Sequence, residues 1–487
     1  MSATNKLGKG MKFLSVILGS LLMGFMWRAR GSHGFGSFWG VVVVGGIFTL
    51  LIFAFYGNRA KMKYELMPMG AVMMGITVPA WGCVISMPGG IIGSTAAFSG
   101  SDAQSFSSIS QGRGTVMMLL LGFSLVCLYG IFAGSFFSEK EYKIKHYLVF
   151  IAVFFAVEIL AKTTFAHNIM NVLAPEVVDG FKRGLADAGV TDSLRRFYLF
   201  ELLKSGTAKG IPYGRCYFEC VEHIAYTAAA LALLITALAV FRDKIVFAVS
   251  LIINVFSAIA ITVADYFQIC NYESSFLAKL NIPASLRITS WGLWEFATGL
   301  ILGFGIMLAL AVLPEKYSSG KKYRSEPYID NKIMRFILNF LLWGFALVVV
   351  PVRALALRVA RMLEDYGRIP DEDIPGIAAT AVISVIICVF LFITLRKNIL
   401  GKNLPVPFKL KSFEFARVYL LILSLYYGAV YFFTLDASVP SFIHRMITSP
   451  SHHADMTGIE YFWIYLAAFA LFEIIYIPVK KRLSSHH

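Results

Sequence analysis

The apolar residues of this chain come in runs of about 18 or more, long enough to cross the ~30 Å hydrocarbon core of a bilayer as helices. Twelve such runs are read at 13–27, 37–56, 66–87, 114–137, 147–166, 222–241, 245–264, 290–313, 336–356, 377–395, 417–435 and 459–479. The polar stretches between them are too short to form a soluble domain. The expected fold class is therefore all-α: a polytopic integral membrane helical bundle, with 1–487 as a single membrane domain. Trp27-Arg28-Ala29-Arg30 follows the first run where a small-residue cleavage site would stand, so the first span is expected to stay.

Composition agrees with this pattern. The chain is 57% hydrophobic and 15% charged, with a mean hydropathy of +0.70, far more apolar than soluble domains. Lys and Arg alternate in density along the chain. With a cytoplasmic N-terminus, the inner connections hold more than half of the 44 basic residues but fewer than a third of the 29 acidic ones. That bias predicts cytoplasmic N- and C-termini in a multi-pass cell membrane protein. The net charge of +15 then follows from topology, and nucleic acid is not expected as a partner.

The longer connections fall on the outer side, at 88–113, 167–221, 266–289, 357–376 and 436–458. Residues 88–113 are rich in Gly and Ser yet begin almost as apolar as a span, which suits a re-entrant segment. Within 167–221, Leu194-Arg195-Arg196-Phe197-Tyr198-Leu199-Phe200 reads as an interfacial helix. Span three carries Gly70, Gly75, Pro79 and Gly82, then Pro88-Gly89-Gly90, the interrupted composition of a broken transporter helix. Gly57-Asn58-Arg59-Ala60-Lys61 lacks the Asp-Arg-Xaa-Gly-Arg element of the major facilitator superfamily.

One basic cluster defies the charge bias. Trp27-Arg28-Ala29-Arg30-Gly31-Ser32-His33 places two arginines and a histidine at the outer end of span one. Gly31, Gly34, Gly36 and Gly40 surround them and allow close approach by a helix or ligand. Guanidinium forks match carboxylates and phosphates. Arg28, Arg30, His33 and Glu295 are the candidate substrate-binding residues, with pairing of the arginines to Glu295 or Asp265 as the plainer alternative. Glu158 and Lys162 stand i, i+4 with the glutamate first, which favours a structural ion pair.

A second polar cluster runs Gly214-Arg215-Cys216-Tyr217-Phe218-Glu219-Cys220-Val221-Glu222-His223. Cys216, Cys220 and His223 share a helix face compatible with soft metal ligation, but no fourth ligand is visible and no metal or cofactor is expected. Glu222 and His223 suit an acid–base pair or the anchoring of span six. Cys216, Cys220 and Cys270 fall on the outer side, where any one pair could form a disulfide.

Arg30-Gly31-Ser32-His33-Gly34 resembles the His-Gly-Gly element of prolipoprotein diacylglyceryl transferases. Gly214-Arg215 with Phe218 and Glu222 is similar to their Gly-Arg-Xaa-Gly-Asn-Phe-Xaa-Asn-Gly-Glu signature. The Arg-to-Glu spacing is one residue short, both asparagines and the second glycine after histidine are absent, and the spans outnumber that family's. The resemblance implies lipid-headgroup chemistry, with His33 as the catalytic candidate, Arg215 as a headgroup ligand, and Glu222 and His223 beside them.

Two functions are thus expected from the sequence. The first is a secondary transporter or permease for a small anionic or polar solute. The alternative is an integral-membrane transferase working on lipid or lipid-linked headgroups at the outer leaflet, with membrane lipids and the substrate as partners in either case.

Overall fold

A computed structural model describes residues 9–30, 38–56, 67–80, 108–189, 211–269, 290–317, 374–398, 407–434 and 459–484, together with isolated residues between 333 and 371. The described residues form helices and turns, with no strand among them. The helices are α1 (Lys9–Ala29), α2 (Phe38–Tyr56), α3 (Met67–Ala80), α4 (Gln111–Ser124), α5 (Cys127–Ser135), α6 (Ile144–Thr164), α7 (Ala166–Leu173), α8 (Pro175–Asp187), α9 (Gly214–Ile235), α10 (Lys244–Ile269), α11 (Ser290–Tyr317), α12 (Ile374–Asn398), α13 (Pro407–Thr434) and α14 (Ile459–Ser484). Six helical stretches among the described residues are long and apolar enough to cross a membrane. Apolar side chains also cover their outward faces: α6 exposes Leu148, Val149, Ile159 and Leu160 while burying Tyr147, Phe150 and Phe154. A helix apolar all round and open on one side has lipid as its natural solvent.

Helices occupy the places of the predicted spans except at 336–356, of which only isolated residues are described. The re-entrant reading of 88–113 concerns mostly residues outside the description, although α4 already begins at Gln111. The interfacial helix read at 194–203 also lies outside it. Earlier in the same connection, α7 and α8 form amphipathic helices.

The chain divides into two compact units, one made of Met1–Ile76, Asn281–Ala311 and Ser318–His487, the other of Thr77–Leu280 and Val312–Tyr317. In the first, α1 and α11 pack backbone to backbone. A Cβ added at Gly299 would lie 2.5 Å from the Met23 carbonyl oxygen, and one at Gly303 would lie 3.0 Å from that of Gly19. Small residues four apart on α11 create this seam. α13 and α14 pair through Tyr427 stacked on Tyr465 and a Ser424 hydroxyl donated to the Phe462 carbonyl at 3.0 Å.

In the second unit, α10 lies along α4 and α5, which approach it through Gly122, Gly130 and Gly134. α9 packs on α4 and α6, with Phe154 and Tyr226 stacked at 6.1 Å. Its first turns join Val177, Val178 and Phe181 of α8 in an apolar core that includes Tyr217, Cys220 and Val221. Tyr213, in the left-handed region at φ 62°, turns the chain into α9. α9 closes on a π-helical turn at Thr236–Val240. Asp243 then accepts the Val246 amide at 3.2 Å and hydrogen bonds from Ser138 and Tyr142, pinning the start of α10 to the connection between α5 and α6.

Candidate functional site

The glycine seam between α1 and α11 lets the last turn of α1 reach the first turns of α11. Arg28 donates from Nη1 to Glu295 Oε2 at 2.6 Å, and Arg30 from Nη2 to Glu295 Oε1 at 3.4 Å. All three side chains are buried. Aromatic faces complete the enclosure: Arg30 lies 4.8 Å from the Trp27 ring centroid and 5.9 Å from that of Trp294, and Arg28 lies 5.6 Å from Tyr461 on α14. Cation–π contact partly replaces the water these guanidinium groups have lost.

Arg30 is the less satisfied of the two. Its one carboxylate contact is long, and its Nε is buried without a hydrogen-bond partner, as is Trp27 Nε1. An arginine stacked between indoles, with donors to spare, is equipped to receive a planar carboxylate or a phosphate. Further along the same two helices, Ile17, Ser20, Leu21, Leu300, Ile301 and Phe304 line a groove of about 360 Å³.

The second unit arranges its charges differently. Lys162 on α6 reaches Glu158 at 2.7 Å and Glu222 on α9 at 2.9 Å, and lies 5.0 Å from the Tyr226 ring centroid. The expected i, i+4 pair is therefore part of a three-residue link between helices. Arg215 is engaged by Glu219 at 2.9 Å. His223 is fully buried, its ring hydrogen-bonded to the Met117 carbonyl. Cys216 and Cys220 are buried in the apolar core and not joined to each other by a disulfide, and Cys270 lies outside the described residues. Among the described residues, no three His, Cys, Asp or Glu side chains gather closely enough to hold a metal ion. At the start of α4, Arg113 binds both oxygens of Glu176 on α8, one at 3.1 Å. Those hydrogen bonds hold the Glu176 carboxyl below the usual carboxylate range.

Arg28, Arg30 and Glu295 are thus brought together. His33 lies outside the described residues. Glu222 and His223 stand in the third turn of α9 and not at its start, because the helix begins at Gly214. There Glu222 accepts a hydrogen bond from Lys162 and His223 meets the Met117 carbonyl. Sequence reasoning missed Trp27, Trp294 and Tyr461, although tryptophans one residue from Arg28 and from Glu295 were a visible signal. Glu473, within the predicted span 459–479, also has a partner. Arg417 binds it through both carboxylate oxygens, one at 2.9 Å, and lies 4.2 Å from the Tyr476 ring centroid.

Compared with family models, curated proteins and solved structures, the chain matches none.

Proposed function

We propose that this chain is a secondary transporter for a small anionic or polar solute, recognised by Arg30 with Arg28, His33 and Glu295. In this reading it is a multi-pass cell membrane protein of twelve spans with both termini in the cytoplasm. The observation that carries the reading is Arg30 itself, buried and aromatic-stacked, with a long contact to Glu295 and an unmet Nε. A guanidinium taken out of water demands partners. A solute carboxylate or phosphate would supply them, and Glu295 would hold the arginines in place between transport events.

The apolar groove on α1 and α11 favours one alternative: an acyl chain in that groove would bring a lipid headgroup towards the same arginines, as a headgroup transferase requires. Uptake into proteoliposomes and headgroup transfer, measured in parallel, separate the two. We expect solute uptake by the wild type, reduced at least tenfold in Arg30→Lys with folding retained, because lysine keeps the charge and loses the planar fork. Full uptake by the lysine variant would reduce Arg30 to an anchor. Transfer without uptake would replace the transporter with the transferase.

A further inference from the structure

The fourth span is two helices. α4 ends at Ser124, α5 begins at Cys127, and Val126 between them leaves the helical region at φ −130°, ψ 30°. The Leu125 amide turns back to the Gly122 carbonyl at 3.1 Å, and the next bond outside the helices joins the Gly130 amide to the Val126 carbonyl at 2.9 Å. A helix that stops and restarts leaves carbonyls at one end and amides at the other without their usual partners. At the restart, the Cys127 thiol sits against its own amide and that of Leu128.

α10 faces this break with a polar strip. A Cβ at Gly122 would lie 2.7 Å from Ala258 Cα, and one at Gly130 would lie 3.2 Å from Ser250 Cα, so the two elements run antiparallel in close register. Asn254, midway between Ser250 and Ala258, is level with Val126, midway between Gly122 and Gly130. It is 1% exposed, and neither its amide nitrogen nor its amide oxygen has a hydrogen-bond partner. Ser250 and Ser257, one turn to either side on the same face, are also buried with unmatched hydroxyls. Leaving one buried polar group unmet costs about 1–3 kcal/mol, and an apolar residue of similar shape would avoid that cost.

We propose that the α4–α5 break and the Ser250–Asn254–Ser257 face of α10 form a binding site for a small monovalent cation of the Na⁺ class. The side chains on offer are neutral oxygens, to which interrupted helices add backbone carbonyls in sodium-coupled transporters. Hard cations take oxygen ligands, and a set without carboxylates suits a single charge. Asp243 and Asp265 lie roughly 16 Å away along α10 in either direction, too far to join it. The site does not rest on the Arg30 reading, because the ion binds with no solute present.

The test is ²²Na⁺ binding to the purified full-length protein in nanodiscs, with choline as the replacement ion. Saturable binding is expected in the wild type, together with a melting temperature that rises with Na⁺. Asn254→Leu should lower the affinity at least tenfold and abolish the Na⁺-dependent rise. A dry, unused amide predicts the reverse: no saturable binding by the wild type, and a leucine variant that melts higher in every salt. Either the absence of wild-type binding or undiminished binding by the variant overturns the proposal. Should Asn254→Leu fail to fold, the Ser250→Ala/Ser257→Ala variant serves in its place; weakened binding supports the site and unchanged binding overturns it.

Discussion

Glu295 and Glu176 each accept hydrogen bonds from arginine, yet the two pairs differ in their surroundings. Arg28, Arg30 and Glu295 are 3% exposed or less, whereas the Arg113 and Glu176 side chains are 32% and 39% exposed. Removing one partner of a buried pair strands the other charge and costs about 3–5 kcal/mol, while an exposed pair contributes about 1 kcal/mol at most. Thermal unfolding in detergent should therefore show a large drop in melting temperature for Glu295→Gln and a small one for Glu176→Gln. Equal drops would mean that the arginines find water or lipid phosphate when Glu295 is neutral. The chemistry of this site was legible in the sequence because charge at membrane depth is rare enough to draw attention on its own. Its partners were less legible: Lys162 was matched to Glu158 by helical spacing, but Glu222 lies 60 residues away, and only the packing of α9 on α6 brings it close.

Helix placement followed apolar run length closely, and its failures have identifiable causes. α9 starts at Gly214, ahead of the predicted 222, because Arg215 and Glu219 kept the apolar run from reaching back past Glu222. A salt bridge within the helix and another to Lys162 offset those charges. The interruption expected in span three is not seen in its described part, since α3 runs continuously over Met67–Ala80 with Pro79 in its last turn. A break occurs instead at Leu125–Val126, where neither residue is Gly or Pro and no composition signal marks the spot. The α1–α11 seam gives an element-level prediction. Gly299→Ala puts a methyl against the Met23 carbonyl and should cost about 1–3 kcal/mol by forcing the helices apart. Gly112→Ala, in the first turn of α4 with nothing within 4 Å of the added carbon, should be neutral or slightly stabilising in the same melting assay. Equal losses would show that the seam tolerates separation.

The distribution of Lys and Arg gives the molecule as a whole a testable orientation. Single cysteines introduced near Lys322 and Lys402 should react with impermeant reagents only from the cytoplasmic side, and one near Asp192 only from outside. The opposite pattern would invert the proposed topology. Chain order adds a constraint of timing. The second unit is almost entirely one continuous stretch, and it is made between the two parts of the first unit that hold the arginines and their carboxylate. Arg28 and Glu295 are 267 residues apart. At about 5–20 residues per second, the ribosome takes roughly 13–50 s to cover that distance. For that time the nascent first helix has two arginines at its end and no Glu295 to meet them. A chain released after residue 280 freezes this stage, and a cysteine introduced beside Arg28 in it should react with impermeant reagents faster than in the full-length protein. Pairing of the arginines with their carboxylate thus waits on the synthesis of the whole second unit, and the insertion machinery has to shelter α1 until α11 arrives.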